Sequence, residues 1–154
     1  MNNFMEMAID EARKGMRHNH GGPFGAIVVK DGKILSRTHN EVLRTNDPTA
    51  HAEILAIREA SATLERFDLS DCVIYTSSQP CPMCLAAIYW ARIRTVYYGS
   101  DKDDVADIGF DDSLFYRYIR GEEKEVELEL INTDREKCLE LLREWSEKSD
   151  KQMY

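Results

Sequence analysis

The sequence lacks the segments that would mark a membrane or exported protein. No apolar run approaches the ~18 residues of a membrane-spanning helix, so no membrane association is expected. The first six residues lack the basic start and apolar core of a signal peptide, and we therefore expect a cytoplasmic location. In that reducing compartment, four cysteines indicate metal ligands or free thiols rather than disulfides.

Positive charge is scarce relative to negative charge. The chain has 20 Lys and Arg residues against 28 Asp and Glu residues, for a formal net charge of −8. Proteins that grip a nucleic acid backbone usually carry a basic patch, whereas here the basic residues are scattered and residues 101–112 and 122–129 are acidic. The charge balance favours a small-molecule substrate over a nucleic acid.

The length of 154 residues, 43% of them hydrophobic, suits one domain with a sizeable core, so residues 1–154 are expected to form a single domain. Apolar spacing and turn signals such as Asp31-Gly32 predict the elements. Helices are predicted over residues 3–17, from about 49 onward, from 82 onward, 113–120 and 134–148, and strands over 24–29, 33–39, 73–76, 95–98 and 126–131. This order predicts a three-layer α/β/α sandwich with a five-stranded mixed sheet flanked by helices.

Two short stretches, residues 49–53 and 79–84, carry the chemistry. His51, Cys81 and Cys84 offer one imidazole and two thiols, which are donors that favour zinc. Glu53 is a carboxylate left over to move protons. A His-x-Glu followed by a Pro-Cys-x-x-Cys is typical of zinc-dependent base deaminases.

The spacing of these residues constrains where they lie. Cys81 and Cys84 are three apart, so at a helix start they share one face and lie near the positive end of the helix dipole. His51 and Glu53 are two apart and can share a site only in the first turn of a helix. Two helix starts that follow adjacent strands would meet at the carboxyl ends of those strands.

Other readings of the same residues stay open at this point. A Cys-x-x-Cys pair also occurs in redox proteins and as half of a structural zinc site, which needs four protein ligands. Cys72 and Cys138 lack a matching spacing, but His39 is a rival fourth ligand. Glu53 also fits a solvated helix carboxylate. An open fourth metal position would favour catalysis.

Both stretches resemble the cytidine and deoxycytidylate deaminase superfamily, in Thr49-Ala-His-Ala-Glu53 and Pro80-Cys-Pro-Met-Cys84. The longer strings over residues 46–53, 81–92 and 109–113, with residues 21–25 and the final Tyr154, are similar to bacterial guanine deaminases. The likeness covers nearly the whole chain. Gln79 departs from the Glu that many relatives carry before Pro-Cys, but this position is neither a ligand nor a proton shuttle.

The resemblance implies hydrolytic deamination of guanine to xanthine and ammonia in purine salvage. It implies one zinc per subunit, held by His51, Cys81 and Cys84. Water activated by the zinc would attack the amino-bearing carbon, and Glu53 would carry its proton to the ring and the departing amine. Asp112 would be a second proton shuttle, with a surface acid as the alternative reading.

The resemblance also implies how the purine is bound. Asn40 would hydrogen-bond it, and Phe24 would line its face. Members of the family swap their C-terminal segment between two subunits, so the resemblance implies a homodimer in which about residues 125–154 are swapped. Tyr154 would then close the partner's site, with a frayed chain end as the alternative.

Three competing functions follow from the same motif. The first is a tRNA adenosine deaminase, although the predicted helix over residues 134–148 has more acids than bases. The second is a deaminase of another nucleobase or nucleoside, such as cytosine or a triazine. The third is a zinc-stabilised interaction module, which requires four protein ligands and does not depend on Glu53.

Overall fold

The computed structural model describes residues 3–124 and 126–154. Its elements are α1 (Phe4–Arg17), β1 (Gly25–Lys30), β2 (Lys33–His39), α2 (Val42–Thr45), α3 (Ala52–Leu64), β3 (Val73–Ser78), α4 (Pro82–Trp90), β4 (Val96–Ser100), α5 (Lys102–Asp107), α6 (Asp112–Ile119) and α7 (Arg135–Glu147). The predicted helices and the first four predicted strands are all present. No helix formed by these residues is long and apolar enough to cross a bilayer.

The sheet contains four strands in the order β2-β1-β3-β4. Strand β1 runs antiparallel to both β2 and β3, while β3 and β4 are parallel. The mixed sheet with an antiparallel first pair is therefore confirmed. Because β3 and β4 are parallel, the loops that follow them lie at the same end of the sheet, where both strands have their carboxyl ends.

The predicted fifth strand over residues 126–131 is wrong. In the described part of the chain these residues form no strand, and Leu130 and Ile131 are 83% and 74% exposed. Alternating apolar and acidic residues form a strand only beside a partner strand and a surface that buries the apolar side. Among the described residues the segment has no partner strand, and Leu128, Leu130 and Ile131 are exposed.

Alternate residues of a strand point to opposite faces of the sheet, and in β1 both sets are apolar. Helices therefore cover both faces. On one face, α1 contributes Phe4 and Ala8, which pack with Ile27 and Val29 of β1. On the other face, α3 and α4 pack on residues that alternate with these. That cluster includes Ala26, Val28, Ala52, Ala56, Ala60, Ile74 and Ile88. The core therefore lies in two layers, one on each side of the sheet.

Close contact between α1 and the sheet depends on Gly25. A Cβ atom at this position would lie 2.0 Å from the Ala8 carbonyl oxygen, which is backbone and cannot rotate away. The absence of a side chain at Gly25 lets the helix approach β1 directly. This approach fixes the end of α1 beside the loop that leads to Phe24.

The C-terminal part of the chain contrasts with this core. Helix α7 contains no buried residue, and its large apolar side chains Leu141, Leu142 and Trp145 are exposed. The predicted swapped segment began at about residue 125, which itself lies outside the described residues. From residue 126 onward the segment exposes large apolar side chains, among them Leu130, Ile131 and Trp145.

Candidate active site and metal centre

Two helix starts hold the predicted metal ligands. His51 is the residue before α3 and Cys81 the residue before α4, and both have extended backbone angles. Neither side chain caps its own helix, so both are free to point into the space between the two helix ends. Pro82 occupies the first turn of α4, where its missing N–H costs nothing. The first-turn placement that the His51–Glu53 spacing demands is confirmed.

The three ligand atoms lie at the separations that a tetrahedral zinc ion requires. The Nδ1 atom of His51 is 3.6 Å from the Sγ atom of Cys81 and 3.5 Å from that of Cys84. Zinc bonds of about 2.0 Å to nitrogen and 2.3 Å to sulfur give a nitrogen–sulfur edge of about 3.5 Å. The donor set therefore fits zinc in both geometry and chemistry.

The two thiols share their protons unequally. A hydrogen bond from the Cys84 thiol, together with the nearby His51, lowers the pKa of Cys81 to about 4, although burial opposes the shift. The same hydrogen bond to the Cys81 thiolate, together with burial, raises the pKa of Cys84. The Cys81 thiolate also raises the pKa of His51 by hydrogen bonding to it. These shifts favour a thiolate at Cys81, and the thiolate is the form in which cysteine binds metals.

Glu53 lies beside the ligands in an environment that suits proton transfer. It is only 8% exposed, and the Cys84 thiol donates to its Oε2 atom at 3.5 Å. Burial, which disfavours the charged carboxylate, raises the pKa of Glu53 to about 7. A carboxyl group with a pKa near neutrality both accepts and releases a proton readily. The reading of Glu53 as a solvated helix carboxylate does not fit this burial.

A cavity of about 260 Å³ opens beside these residues. Six of the eight predicted site residues line it: Phe24, Asn40, His51, Glu53, Cys81 and Asp112. Cys84 lies buried next to it, in contact with His51 and Glu53. The structure therefore brings seven of the eight together around one cavity.

Asn40 is held rigidly in the cavity wall. Its backbone N–H donates to the Phe24 carbonyl oxygen, and its side-chain Oδ1 atom accepts from the Val42 N–H at 3.1 Å. The amide NH2 group is then the part of the side chain left for a ligand. Gly21 makes this position possible, because a Cβ atom there would lie 2.0 Å from the Asn40 Oδ1 atom.

Two aromatic rings form another part of the wall. Phe110 packs edge-on to Phe24, with ring centroids 5.1 Å apart and ring planes at 84°. Sequence reasoning missed Phe110 and the apolar side chains Val42 and Leu43, which also line the cavity. Phe110 could have been found, because it belongs to the Gly109–Ser113 string that carries the family resemblance.

Two adjacent aspartates at the start of α6, the N-cap Asp111 and the first helical residue Asp112, have different roles. The Asp111 side chain caps the helix by accepting from the Leu114 N–H at 3.0 Å. Asp112 points into the cavity instead, where burial, with a smaller effect from the Cys81 thiolate, raises its pKa to about 6. Asp112 is thus a second carboxyl group near the ligands and available for proton transfer.

Tyr154 does not reach this cavity within its own chain. It is 69% exposed and packs loosely near Phe67 and Trp90, with ring centroids 6.4 Å away in each case. The role predicted for it concerns a partner's site and stays a prediction.

His39 is not a fourth ligand of the His51 centre. Its two ring nitrogens bond Glu11 and His20 instead. Among the described residues, the His51 group contains three candidate ligands, and two of them, His51 and Cys81, line the cavity. That arrangement is typical of catalytic rather than structural zinc.

Known proteins are similar to this chain in sequence and in fold. Residues 1–100 match the family described as the cytidine and deoxycytidylate deaminase zinc-binding region. The chain is 51% identical over 116 residues to a guanine deaminase of Bacillus subtilis, which covers 75% of this chain and 74% of that protein. It superposes on the crystal structure of guanine deaminase from Bacillus subtilis with a TM-score of 0.90 and 42% identity, covering 100% of this chain and 99% of the other. A tRNA-specific adenosine deaminase of Agrobacterium fabrum is 44% identical over 97 residues, or 63% of each chain.

Proposed function

Because the chain belongs to the cytidine and deoxycytidylate deaminase family, we propose that it is a zinc-dependent aminohydrolase that converts guanine and water into xanthine and ammonia. The observation that carries the proposal is the cavity in which His51, Cys81 and the Glu53 carboxyl group meet, in a chain 51% identical to a guanine deaminase. The substrate is a small purine of a size that the cavity can enclose.

His51, Cys81 and Cys84 hold the zinc, one ion per subunit at this centre. When bound, zinc acts as a Lewis acid that lowers the pKa of water toward ~7 and so makes hydroxide available at neutral pH. The three protein ligands leave the cavity side open for that water. No fourth protein ligand is needed, which separates this proposal from a zinc-stabilised interaction module.

Glu53 carries the protons of the reaction. It takes a proton from the attacking water, delivers it to the ring nitrogen next to the amino-bearing carbon, and then helps protonate the departing amine. Its raised pKa supports both directions of transfer. Asp112 holds a second proton near the amino group and assists its departure as ammonia.

Asn40 and Phe24 orient the base. The free amide NH2 group of Asn40 donates to an acceptor atom on the purine edge. Phe24 contacts the face of the ring, and Phe110 holds Phe24 in place from its edge. These contacts exclude water from one side of the purine and fix its reacting carbon beside the metal centre.

We further propose a homodimer in which the segment from about residue 125 to 154 packs on a second subunit and Tyr154 closes that subunit's cavity. The exposed apolar residues Leu130, Ile131 and Trp145 support this arrangement. A cytoplasmic location is part of the same proposal.

The alternative is a tRNA adenosine deaminase, favoured by the identity to the Agrobacterium protein. The net charge of −8 opposes it, because RNA binding depends on neutralising phosphates with Lys and Arg. Helix α7 also carries more acidic than basic side chains.

A substrate panel separates these functions. We would measure ammonia release by the zinc-loaded protein from guanine, adenine, cytosine, their nucleosides and a tRNA anticodon hairpin. We expect release from guanine that far exceeds release from every other compound. Release from the hairpin without release from guanine would replace the proposal by the RNA alternative.

A further inference from the structure

A cluster of histidines lies outside the candidate active site. The rings of His20 and His39 face each other, with the Nδ1 atom of His20 2.8 Å from the Nε2 atom of His39 and the ring planes at 24°. The Oε1 atom of Glu41 is 3.8 Å from the same Nε2 atom. These three donor atoms all lie within 4.8 Å of one another. With His18 near His20, three of the four histidines of the chain are found here.

A buried carboxylate fixes the tautomer of His39. Its Nδ1–H donates to the Oε2 atom of Glu11 at 2.8 Å, so its Nε2 atom carries the lone pair that faces His20 and Glu41. Glu11 is balanced in turn by Arg37, whose Nε atom is 3.1 Å from the other carboxylate oxygen. A carboxylate behind a histidine is the usual support of a metal-bound imidazole.

Each of the other two groups has to give up a present partner to bind a metal. The Nδ1–H of His20 donates to the Nε2 atom of His39, so a bound cation displaces this hydrogen bond and the proton moves to the Nε2 atom of His20. The hydrogen bond from Arg44 lowers the pKa of Glu41 and keeps it charged. Arg44 is about half exposed, and an ion pair at the surface contributes little to stability, so it can release Glu41 to a cation.

We propose that His20, His39 and Glu41 form a second metal site, separate from the His51–Cys81–Cys84 centre, for a divalent transition metal ion. Two imidazoles and one carboxylate suit Zn²⁺, Ni²⁺ or Co²⁺ rather than Mg²⁺ or Ca²⁺. Metal–nitrogen bonds of about 2.0 Å would place the Nδ1 atom of His20 and the Nε2 atom of His39 roughly 3.3 Å apart. That separation is about half an ångström more than their distance of 2.8 Å in the structure. His20 lies in the loop between α1 and β1, and a small rotation of its side chain would supply that shift while its backbone hydrogen bonds stay in place.

The second ion would act on the wall of the substrate cavity. The backbone carbonyl oxygen of His20 accepts from the N–H groups of Leu43 and Arg44, and Leu43 lines the cavity. Asn40, which lines the same cavity, lies between His39 and Glu41 in the chain. An ion at this site therefore clamps the loop after α1 to the segment that carries Asn40 and Leu43.

Metal content tests the second site without any measurement of activity. The full chain is dialysed to equilibrium against buffered free Zn²⁺, and the zinc and protein in each sample are quantified. We expect two ions per wild-type chain, one in His20→Ala and two in His18→Ala, the matched control for removing an exposed histidine. One ion in the wild type, or a second ion that survives His20→Ala, overturns the proposal.

Cobalt distinguishes the two centres directly. Thiolate ligands give Co²⁺ a strong charge-transfer absorption that nitrogen and oxygen ligands do not. Titration with Co²⁺ should show a step with this absorption and a second step without it, and Glu41→Gln should weaken only the second step by tenfold or more. An unchanged titration in Glu41→Gln contradicts the site, and the outcome is independent of which base the enzyme deaminates.

Discussion

At the scale of single residues, the proposed deamination depends on the Glu53 carboxyl group, which lies in the first turn of α3 next to the metal ligand His51. Glu53 is buried because α3 begins at residue 52, which turns its second residue inward toward the cavity. The sequence predicted this placement from spacing alone, since residues two apart can share a site only at a helix end. The raised pKa could not be predicted, because it arises from burial that only the folded chain creates.

The variant Glu53→Gln tests the proton-transfer role. The amide keeps the shape of the side chain but cannot accept a proton, so we expect zinc content to be retained and kcat for guanine to fall by about 10²–10⁴-fold. Steady-state kinetics and metal analysis check this, with the exposed Glu59→Gln on the same helix as the matched control. Turnover near the wild-type rate in Glu53→Gln would remove Glu53 from the mechanism.

Gly21 offers a second test at this scale. In Gly21→Ala, the new Cβ atom would lie 2.0 Å from the Asn40 Oδ1 atom and push that side chain out of position. We expect the KM for guanine to rise about tenfold or more, as loss of an oriented hydrogen bond costs about 1–2 kcal/mol. Because the new Cβ atom would also lie 2.8 Å from the Asn40 backbone carbonyl oxygen, the double variant with Asn40→Ala should be worse than Asn40→Ala alone but better than the sum of the two effects. Additive effects of the two changes would show that Gly21 acts through something other than Asn40.

At the scale of elements, prediction succeeded where a segment's neighbours are close in the chain. Helix α4 begins at Pro82 as predicted, α3 begins at Ala52, three residues after the predicted start at about residue 49, and the Asp31-Gly32 turn joins β1 to β2. The strand predicted over residues 126–131 failed because a strand needs a partner, and the alternating pattern does not say whether one lies within reach. Sequence reasoning also missed Val42 and Leu43 as cavity-lining residues, because their place in the wall depends on tertiary packing that a local pattern does not encode.

The contact between α1 and the sheet can be tested at Gly25. In Gly25→Ala, the added methyl group meets the Ala8 carbonyl oxygen, so helix or strand must shift. We expect the free energy of unfolding to fall by about 1–3 kcal/mol, the usual cost of overpacking a core. Urea denaturation monitored by circular dichroism measures it. An unchanged midpoint and slope would mean that α1 does not pack as tightly as described.

At the scale of the whole molecule, the exposed C-terminal segment predicts an assembly. Leu130 and Ile131 contact little in their own chain, so replacing both with Ser should leave the fold of one chain intact. If the segment packs on a second subunit, the double variant should shift from dimer to monomer. Light scattering after size-exclusion chromatography measures the mass of the assembly. The control is Ile34→Ser, which replaces an exposed apolar residue of the edge strand β2. A wild type that is monomeric, or a variant that stays dimeric, contradicts the swapped arrangement.

The central claim is that the His51, Cys81 and Cys84 centre deaminates guanine with zinc. The most direct measurement is xanthine formation from guanine by three preparations of the same protein: as loaded with zinc, after removal of the metal by a chelator, and after zinc is restored. The account predicts one xanthine and one ammonia per guanine in the first preparation, loss of more than 99% of the rate in the second, and recovery in the third. Xanthine formation that continues at an undiminished rate without the metal, or no xanthine from the zinc-loaded protein, would contradict it.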